Sequence, residues 1–326
     1  MRILLTGGSG FVGLALAERL VAETHEVVLA ASERPPDWAS RALGQSIPFH
    51  SMDVRDMASV KSAMQATRPD LVVHAAAATP DAAREAAGDA AAILDINAGG
   101  TARVIESAAS LGVRRVIALS SVAVYGRTLE ECAGLDEEMP PSPKVLYAIS
   151  KLSAEMLALR LGAVHGVSVL TPRLGVLWGP WEHRTGERAT PSPVYCMVEA
   201  ARSGRDVVLP FPASAPLCEV SAAREMLLAL IETETAEGVV NVGADRSVDL
   251  LEMAERVARA FGVRAEIDAG RANVPFFAVN RPPMRLGRLA AMTGRRFDVA
   301  PIDEALDRYF AWLDGLDGDG VPCPRR

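Results

Sequence analysis

Tyr147 and Lys151 stand four residues apart in Tyr147-Ala148-Ile149-Ser150-Lys151, a spacing that puts both side chains on one face of a helix. A free phenol has a pKa of about 10, too high for an efficient base near neutrality. An ammonium on the same face favours the phenolate and brings the group toward useful proton transfer. Tyr and Lys meet at this spacing by chance in many helices, so the pair gains meaning only from what surrounds it.

A second chemical feature is Thr6-Gly7-Gly8-Ser9-Gly10-Phe11-Val12-Gly13, between the apolar run Ile3–Thr6 and a helical stretch, Leu14–Ala22. Gly7 permits a tight turn, Gly10 lets the backbone approach a pyrophosphate, and Gly13 allows close helix–strand packing. Around Phe11 and Val12 the helix N-terminus offers free N–H groups and a favourable dipole to phosphates. In this context the glycines predict a dinucleotide site. When the cofactor is NAD, the second strand of such a unit normally ends in an acid that accepts from the ribose 2′-hydroxyl. Here that end reads Leu29-Ala30-Ala31-Ser32-Glu33-Arg34. The acidic position falls on Ala31, and Ser32 and Arg34 can meet a 2′-phosphate. NADP is therefore the expected cofactor. NAD is the alternative, because a slip of one residue brings Glu33 into the acidic position.

These groups need a scaffold. Glu26–Ala31, Leu71–His74, Arg115–Ser120 and Val167–Thr171 are further strand candidates, separated by helical or turn segments. Continuous apolar runs alternating with helices predict an α/β fold, a Rossmann doubly wound parallel sheet. After Pro172 proline and glycine become frequent, which suggests loops and a smaller C-terminal substrate-binding lobe. Helices are expected over Ser221–Ile231 and Val248–Phe261, the second capped by Ser247 or Asp249. The expected organisation is a dinucleotide-binding domain over 1–172, with 217–262 returning to it in part. Residues 173–216 and 263–314 would form the lobe, and 315–326 a flexible tail.

The 326 residues are 49% apolar, 23% charged and 5% aromatic, with a net charge of -7. That balance disfavours nucleic acid and anionic membrane surfaces, which call for basic patches. Four scattered cysteines and five histidines form no ligand cluster, so no metal is expected. No apolar run reaches about 18 residues, so no transmembrane helix is expected. Met1-Arg2-Ile3-Leu4-Leu5 enters a strand at once, leaving no space for a signal peptide. The cytoplasm is the expected compartment.

Further motifs follow in order: Asp53 in Met52-Asp53-Val54-Arg55-Asp56, then His74-Ala75-Ala76-Ala77, Asn97-Ala98-Gly99-Gly100-Thr101, and Ser120-Ser121-Val122-Ala123-Val124-Tyr125-Gly126. With the glycine turn and Tyr147/Lys151, this ordered set resembles the extended short-chain dehydrogenase/reductase family, which includes NAD-dependent sugar epimerases and dehydratases. The resemblance covers about residues 1–180. It implies that Asp53, beside Val54, hydrogen-bonds the adenine amino group and that Ala75 and Ala76 line the cofactor through backbone. Asn97 would steady the active-site helix or a relay water. Lys151 would hold the nicotinamide ribose beside Pro172. Ser121 would hydrogen-bond the substrate oxygen, and Tyr147 would carry the proton that accompanies hydride transfer. Tyr125 fits packing beneath the site as well as substrate contact.

The chain also departs from the family. Ser120-Ser121-Val122 replaces the Thr-Asp-Glu of sugar 4,6-dehydratases, which removes the acid and base for water elimination. Val176 stands where the family has an Asn on the substrate diphosphate, and Ala215-Pro216-Leu217 replaces Arg-Asp-Phe. Losing two polar contacts to a doubly charged group argues against a nucleotide-sugar substrate. Arg173, Trp178 and Arg281 are the expected substrate contacts, with Arg184, Arg188 and Arg285 also in the lobe and Trp181 able to wall a pocket or fill core. The expectation is an NAD(P)-dependent dehydrogenase or reductase acting on a secondary alcohol or ketone of a polar, sugar-like, non-nucleotide small molecule. A sugar epimerase is the runner-up. A non-catalytic dinucleotide-binding protein would show an eroded Ser121, Tyr147 and Lys151, and all three are present. A homodimer is expected through the helices after Asn97 and Tyr147. Thr101–Leu111, with Val104, Ile105, Ala108 and Leu111 at helical spacing, fits either core or interface.

Overall fold

Alternation along single strands dictates the layers. Ile3 and Leu5 point to one face of the central sheet and Leu4 to the other, and all three are buried. The computed structural model describes residues 1–44, 46–79, 82–130, 132–188, 190–275 and 281–318. Its sheet contains β1 (Arg2–Thr6), β2 (Glu26–Ala31), β3 (Phe49–Ser51), β4 (Leu71–His74), β5 (Arg115–Ala118), β6 (Ser120–Ser121) and β7 (Ser168–Leu174). The strand Gly238–Val242 completes it at the edge beyond β7. From that edge the order is Gly238–Val242, β7, β5, β4, β1, β2, β3, with β6 also on β7. Every pair is parallel. Strands buried on both faces need helices on both sides. Helix α1 (Phe11–Ala22) and the helix Val220–Glu232 cover one face. Met57–Thr67, Gly100–Ser110 and Leu146–His165 cover the other.

The run Arg115–Ser120, read as one strand, is two. The register Ile117↔Leu170 and Ser120↔Arg173 sets Leu119 opposite Pro172, and proline has no N–H to give to a ladder. The strand therefore breaks at Leu119. Pro172 itself lies inside the sheet, paired with Val240.

A second core gathers Trp178 from the strand Val176–Trp178 with Tyr195, Met197, Leu250, Met253, Val257, Leu306 and Tyr309 from the helices Pro193–Arg202, Leu250–Phe261 and Ile302–Gly318. Asp249 caps the middle helix, its carboxylate accepting from the N–H groups of Leu251 and Glu252. That helix belongs to the second core rather than returning to the sheet, because its buried stripe faces Pro193–Arg202. Conversely, Gly287–Thr293 packs on Val220–Glu232 and the edge strand through Leu289. Gly315 to Gly318 continue the last helix rather than starting a tail. Residues 319–326, with Cys323, lie outside the described residues.

Candidate active site

The C-terminal ends of β1, β2, β4 and β6 open onto one cleft of about 430 Å³, where open parallel sheets characteristically place ligands. The glycine turn forms one wall. Gly7 has φ +64°, and a Cβ there would lie 2.6 Å from the Ala76 nitrogen. A Cβ on Gly13 would lie 2.4 Å from the Gly7 carbonyl oxygen. Gly10 precedes the first turn of α1 and has no side-chain cap, so the helix N-terminus faces the cleft with free N–H groups. Gly7, Gly10, Phe11, Val12, Gly13, Ser32, Arg34, Asp53, Val54, Ala75 and Ala76 all line this space, as do Ser121, Tyr147 and Lys151.

At the far end, Tyr147 and Lys151 share the first turns of the helix Leu146–His165. The Tyr147, Ser121 and Thr79 side chains line the same end of the cleft. Burial raises the phenol pKa, opposed by Ser121 first and by the charge of Arg188 next. The sequence expectation that Lys151 lowers it is therefore corrected for this state: the counter-charge on the phenol comes from Arg188. The Lys151 ammonium donates to the Leu119 carbonyl at 2.5 Å, the carbonyl at the strand break opposite Pro172. Burial lowers Lys151 to about 8, opposed by the negative charge of Glu155. Pro172 is thus not a cleft residue; it stands opposite the break where Lys151 docks.

Asn97 is fully buried in a π turn, Asp95–Gly99, that interrupts a longer helical run. Its Oδ1 accepts from the Ala78 N–H at 2.7 Å, and its Nδ2 donates to the Ala78 carbonyl at 2.9 Å and to Ser150 Oγ at 2.8 Å. Asn97 thereby ties the loop after β4 to the helix that carries Tyr147 and Lys151. Asp53 lies on the cleft wall with its carboxylate engaged by Arg55, which holds the acid below its ordinary pKa.

His74, which the sequence offered only as part of a motif, forms a buried chain. Thr101 donates its single hydroxyl proton to the Asn97 carbonyl, so it must accept from His74 Nε2–H at 3.1 Å. His74 Nδ1 is then the acceptor for the Thr6 hydroxyl at 2.7 Å. Burial, and secondarily the charge of Lys151, pushes His74 down to about 3. The folded chain resists protonation that the unfolded chain accepts, so stability is full above the ordinary value of 6.5 and falls as pH drops toward 3. Each pH unit in that window should cost about 1.4 kcal/mol from this one group. Urea titrations of wild type and His74→Asn from pH 6.5 to 4 should give a flatter pH dependence for the variant. Parallel curves would remove His74 from this role.

Three expected substrate contacts lie elsewhere. Arg173 is buried in a two-point pair with Glu155, at 2.7 and 3.1 Å, over the Tyr125 ring. Trp178 is 1% exposed and packs edge-on against Tyr309 in the second core. Arg281 is not among the cleft-lining residues; its N–H donates to the Ser214 carbonyl and its carbonyl accepts from Ser247. Trp181 is core too, stacked on Trp38. Tyr125 donates to Asn241 and supports the site from below. The sequence reading missed Thr79 and His183 and placed Arg188 only in the lobe, because their partners Glu187, Trp38 and Phe11 are distant in the chain, and it missed the buried Glu182 that holds Arg188.

A doubly wound parallel sheet with a glycine turn at its switch point is the architecture of the extended short-chain dehydrogenase/reductase enzymes. The chain belongs to the NAD dependent epimerase/dehydratase family, whose model matches residues 3–243. The GDP-6-deoxy-D-mannose reductase of Pseudomonas aeruginosa is 30% identical over 270 residues, 82% of each chain. A probable UDP-glucuronate 4-epimerase of Rhizobium meliloti is 23% identical over 96% of this chain and 97% of that one. The UDP-glucose 4-epimerase of Thermus thermophilus in complex with NAD superposes with a TM-score of 0.79 at 26% identity, over 95% of this chain and 99% of that chain. Among the described residues no helix is long and apolar enough to cross a membrane.

Proposed function

We propose that this chain is a nicotinamide-dependent reductase or dehydrogenase of a secondary alcohol or ketone in a polar, sugar-like, non-nucleotide small molecule. The observation that carries the reading is that the Tyr147 phenol and the Ser121 hydroxyl line one cleft, with Lys151 one helical turn from Tyr147. When bound, the nicotinamide supplies or accepts the hydride. Tyr147 gives the substrate oxygen its proton in the reductive direction. A phenol held above its ordinary pKa stays protonated at neutral pH, which suits donation to a ketone oxygen. Ser121 steadies the charge that develops on that oxygen. Lys151 holds the nicotinamide ribose, and Asn97 holds the helix.

The non-nucleotide substrate rests on two replacements brought close together. Val176 pairs directly with Leu217, two residues from the buried Ala215. Neither Val176 nor Ala215 can contact a diphosphate through a polar side chain. Dehydration is disfavoured because Ser120 is turned to Glu155 and Val122 is buried. A second reading, a nucleotide-sugar epimerase, is favoured by the names of two relatives. A substrate panel separates them. A dehydrogenase or reductase converts NAD(P)(H) in proportion to product, whereas an epimerase interconverts sugars with no net change in reduced nicotinamide.

The adenosine end supports NADP over NAD as cofactor. β2 ends at Ala31 without a carboxylate, and Ser32 and Arg34 line the cleft there. Glu33 lines it too and keeps NAD as the alternative, the cofactor named with the Thermus relative. Arg34→Ala should raise the Kd for NADPH about tenfold or more, the order of one charged hydrogen bond, with little change for NADH. An equal effect on both cofactors would remove the 2′-phosphate role.

We further propose a homodimer through the outer face of the helix Leu146–His165. Ile149, Met156, Leu157 and Val164 are exposed there at helical spacing, beside exposed Leu94 and Leu111. A monomeric mass in solution would contradict this.

A further inference from the structure

The segment Trp181 to Arg188 crosses the cleft as a strap. His183 packs edge-on against Trp38, with ring centroids 5.5 Å apart, and its Nδ1 meets the Trp181 carbonyl at 2.8 Å. On the opposite side the Thr79 N–H donates to the Glu187 carbonyl at 2.7 Å, and Glu187 pairs with Arg84 at 3.1 Å. Arg188 lies between these anchors. Its guanidinium carbon is 4.9 Å from the centroid of Phe11, the first residue of α1. Its Nη2 donates to Glu182 at 2.6 Å.

The Glu182 side chain is wholly inaccessible. It also accepts from the Ser192 N–H at 2.7 Å and the Ser192 hydroxyl at 2.6 Å. The carboxylate is thus fixed on three donors and orients the guanidinium. A guanidinium has five N–H donors in a rigid fork, so Arg188 retains capacity for an anion after meeting Glu182. The glycine turn opposite supplies only neutral backbone N–H groups and a helix dipole.

We propose that Arg188, fixed by Glu182 above Phe11, clamps the pyrophosphate of the bound dinucleotide from the side opposite the glycine turn. The inference rests on the dinucleotide reading above and deepens it. The position decides between two sources of phosphate or carboxylate. Phe11 marks the helix N-terminus where a glycine turn seats the pyrophosphate, whereas a substrate anion would lie beyond Tyr147.

The test is equilibrium titration of the purified chain with ADP-ribose, which carries the pyrophosphate without the nicotinamide, and with NADH. Tryptophan fluorescence reports binding, since Trp181 and Trp38 pack together beneath the strap. Removing Arg188 alone strands a buried carboxylate. The principal variant is therefore Arg188→Gln with Glu182→Gln, which removes both charges together, and Arg188→Lys is the conservative companion. The double variant should raise the Kd for ADP-ribose and NADH alike, by about tenfold or more. Arg188→Lys should fall between it and wild type. Unchanged ADP-ribose affinity with a raised KM for substrate would assign Arg188 to a substrate anion and overturn the clamp alone. Failure of the wild-type chain to bind ADP-ribose would overturn the dinucleotide reading and the clamp with it.

Discussion

Tyr147→Phe is expected to cut turnover by about 10²-fold or more, the scale of lost general acid–base catalysis, while dinucleotide affinity stays near wild type. The phenyl ring keeps its place at the start of the Leu146–His165 helix and loses only the hydroxyl it presents in the cleft. Lys151 remains docked on the Leu119 carbonyl, independently of Tyr147. A steady-state assay beside a NAD(P)H titration separates the two effects. Near-wild-type turnover would remove Tyr147 from proton transfer. Equal loss of binding and turnover would make it a packing residue.

The second large effect lies under the site. Glu155→Leu is expected to destabilise the fold by about 3–5 kcal/mol, the cost of leaving a buried guanidinium unpaired. Arg173 and Glu155 are each 4% exposed in their side chains and share two hydrogen bonds. Glu155 also accepts from Ser120 at 2.8 Å, which fixes the short strand ending in Ser121. By contrast Arg256 bridges the exposed Asp303 and Asp307, and such pairs contribute at most about 1 kcal/mol. Glu155→Leu with Arg173→Leu should recover most of the loss, because no charge is left buried alone. Urea midpoints at constant slope measure this. A loss below about 1 kcal/mol for Glu155→Leu would show that water reaches Arg173. The Glu155 charge also opposes the downward shift of Lys151. Its removal should therefore move Lys151 titration, read in the pH dependence of dinucleotide affinity, below about 8.

What the sequence made legible was local. Glu26–Ala31 and Leu71–His74 are strands over those bounds because each is a short apolar run closed by turn residues. The glycine turn and the Tyr147/Lys151 spacing declare themselves through chain neighbours. What was not legible depends on distant partners. The break at Leu119 follows from Pro172 on an adjacent strand. Phe49–Ser51 and Gly238–Val242 are short edge strands with little pattern of their own. Arg173 looked like a substrate arginine because nothing nearby marks Glu155 as its partner. Trp178 and Trp181, in a Gly/Pro-rich stretch, fitted a pocket wall as well as core, and only the fold buries them. Arg188 stood only as one of several lobe arginines, and only the fold buries Glu182 beside it and sets it over Phe11.

The most direct measurement is a crystal structure of the chain soaked with NADP or NAD. The expected result places the nicotinamide ribose hydroxyls within about 3 Å of Lys151 Nζ and Tyr147 Oη. The pyrophosphate should lie on the Gly10–Val12 turn, and the adenosine between Ser32–Arg34 and Asp53. A dinucleotide bound with its nicotinamide away from Tyr147 would contradict the assignment of Tyr147 and Lys151 as the reacting pair.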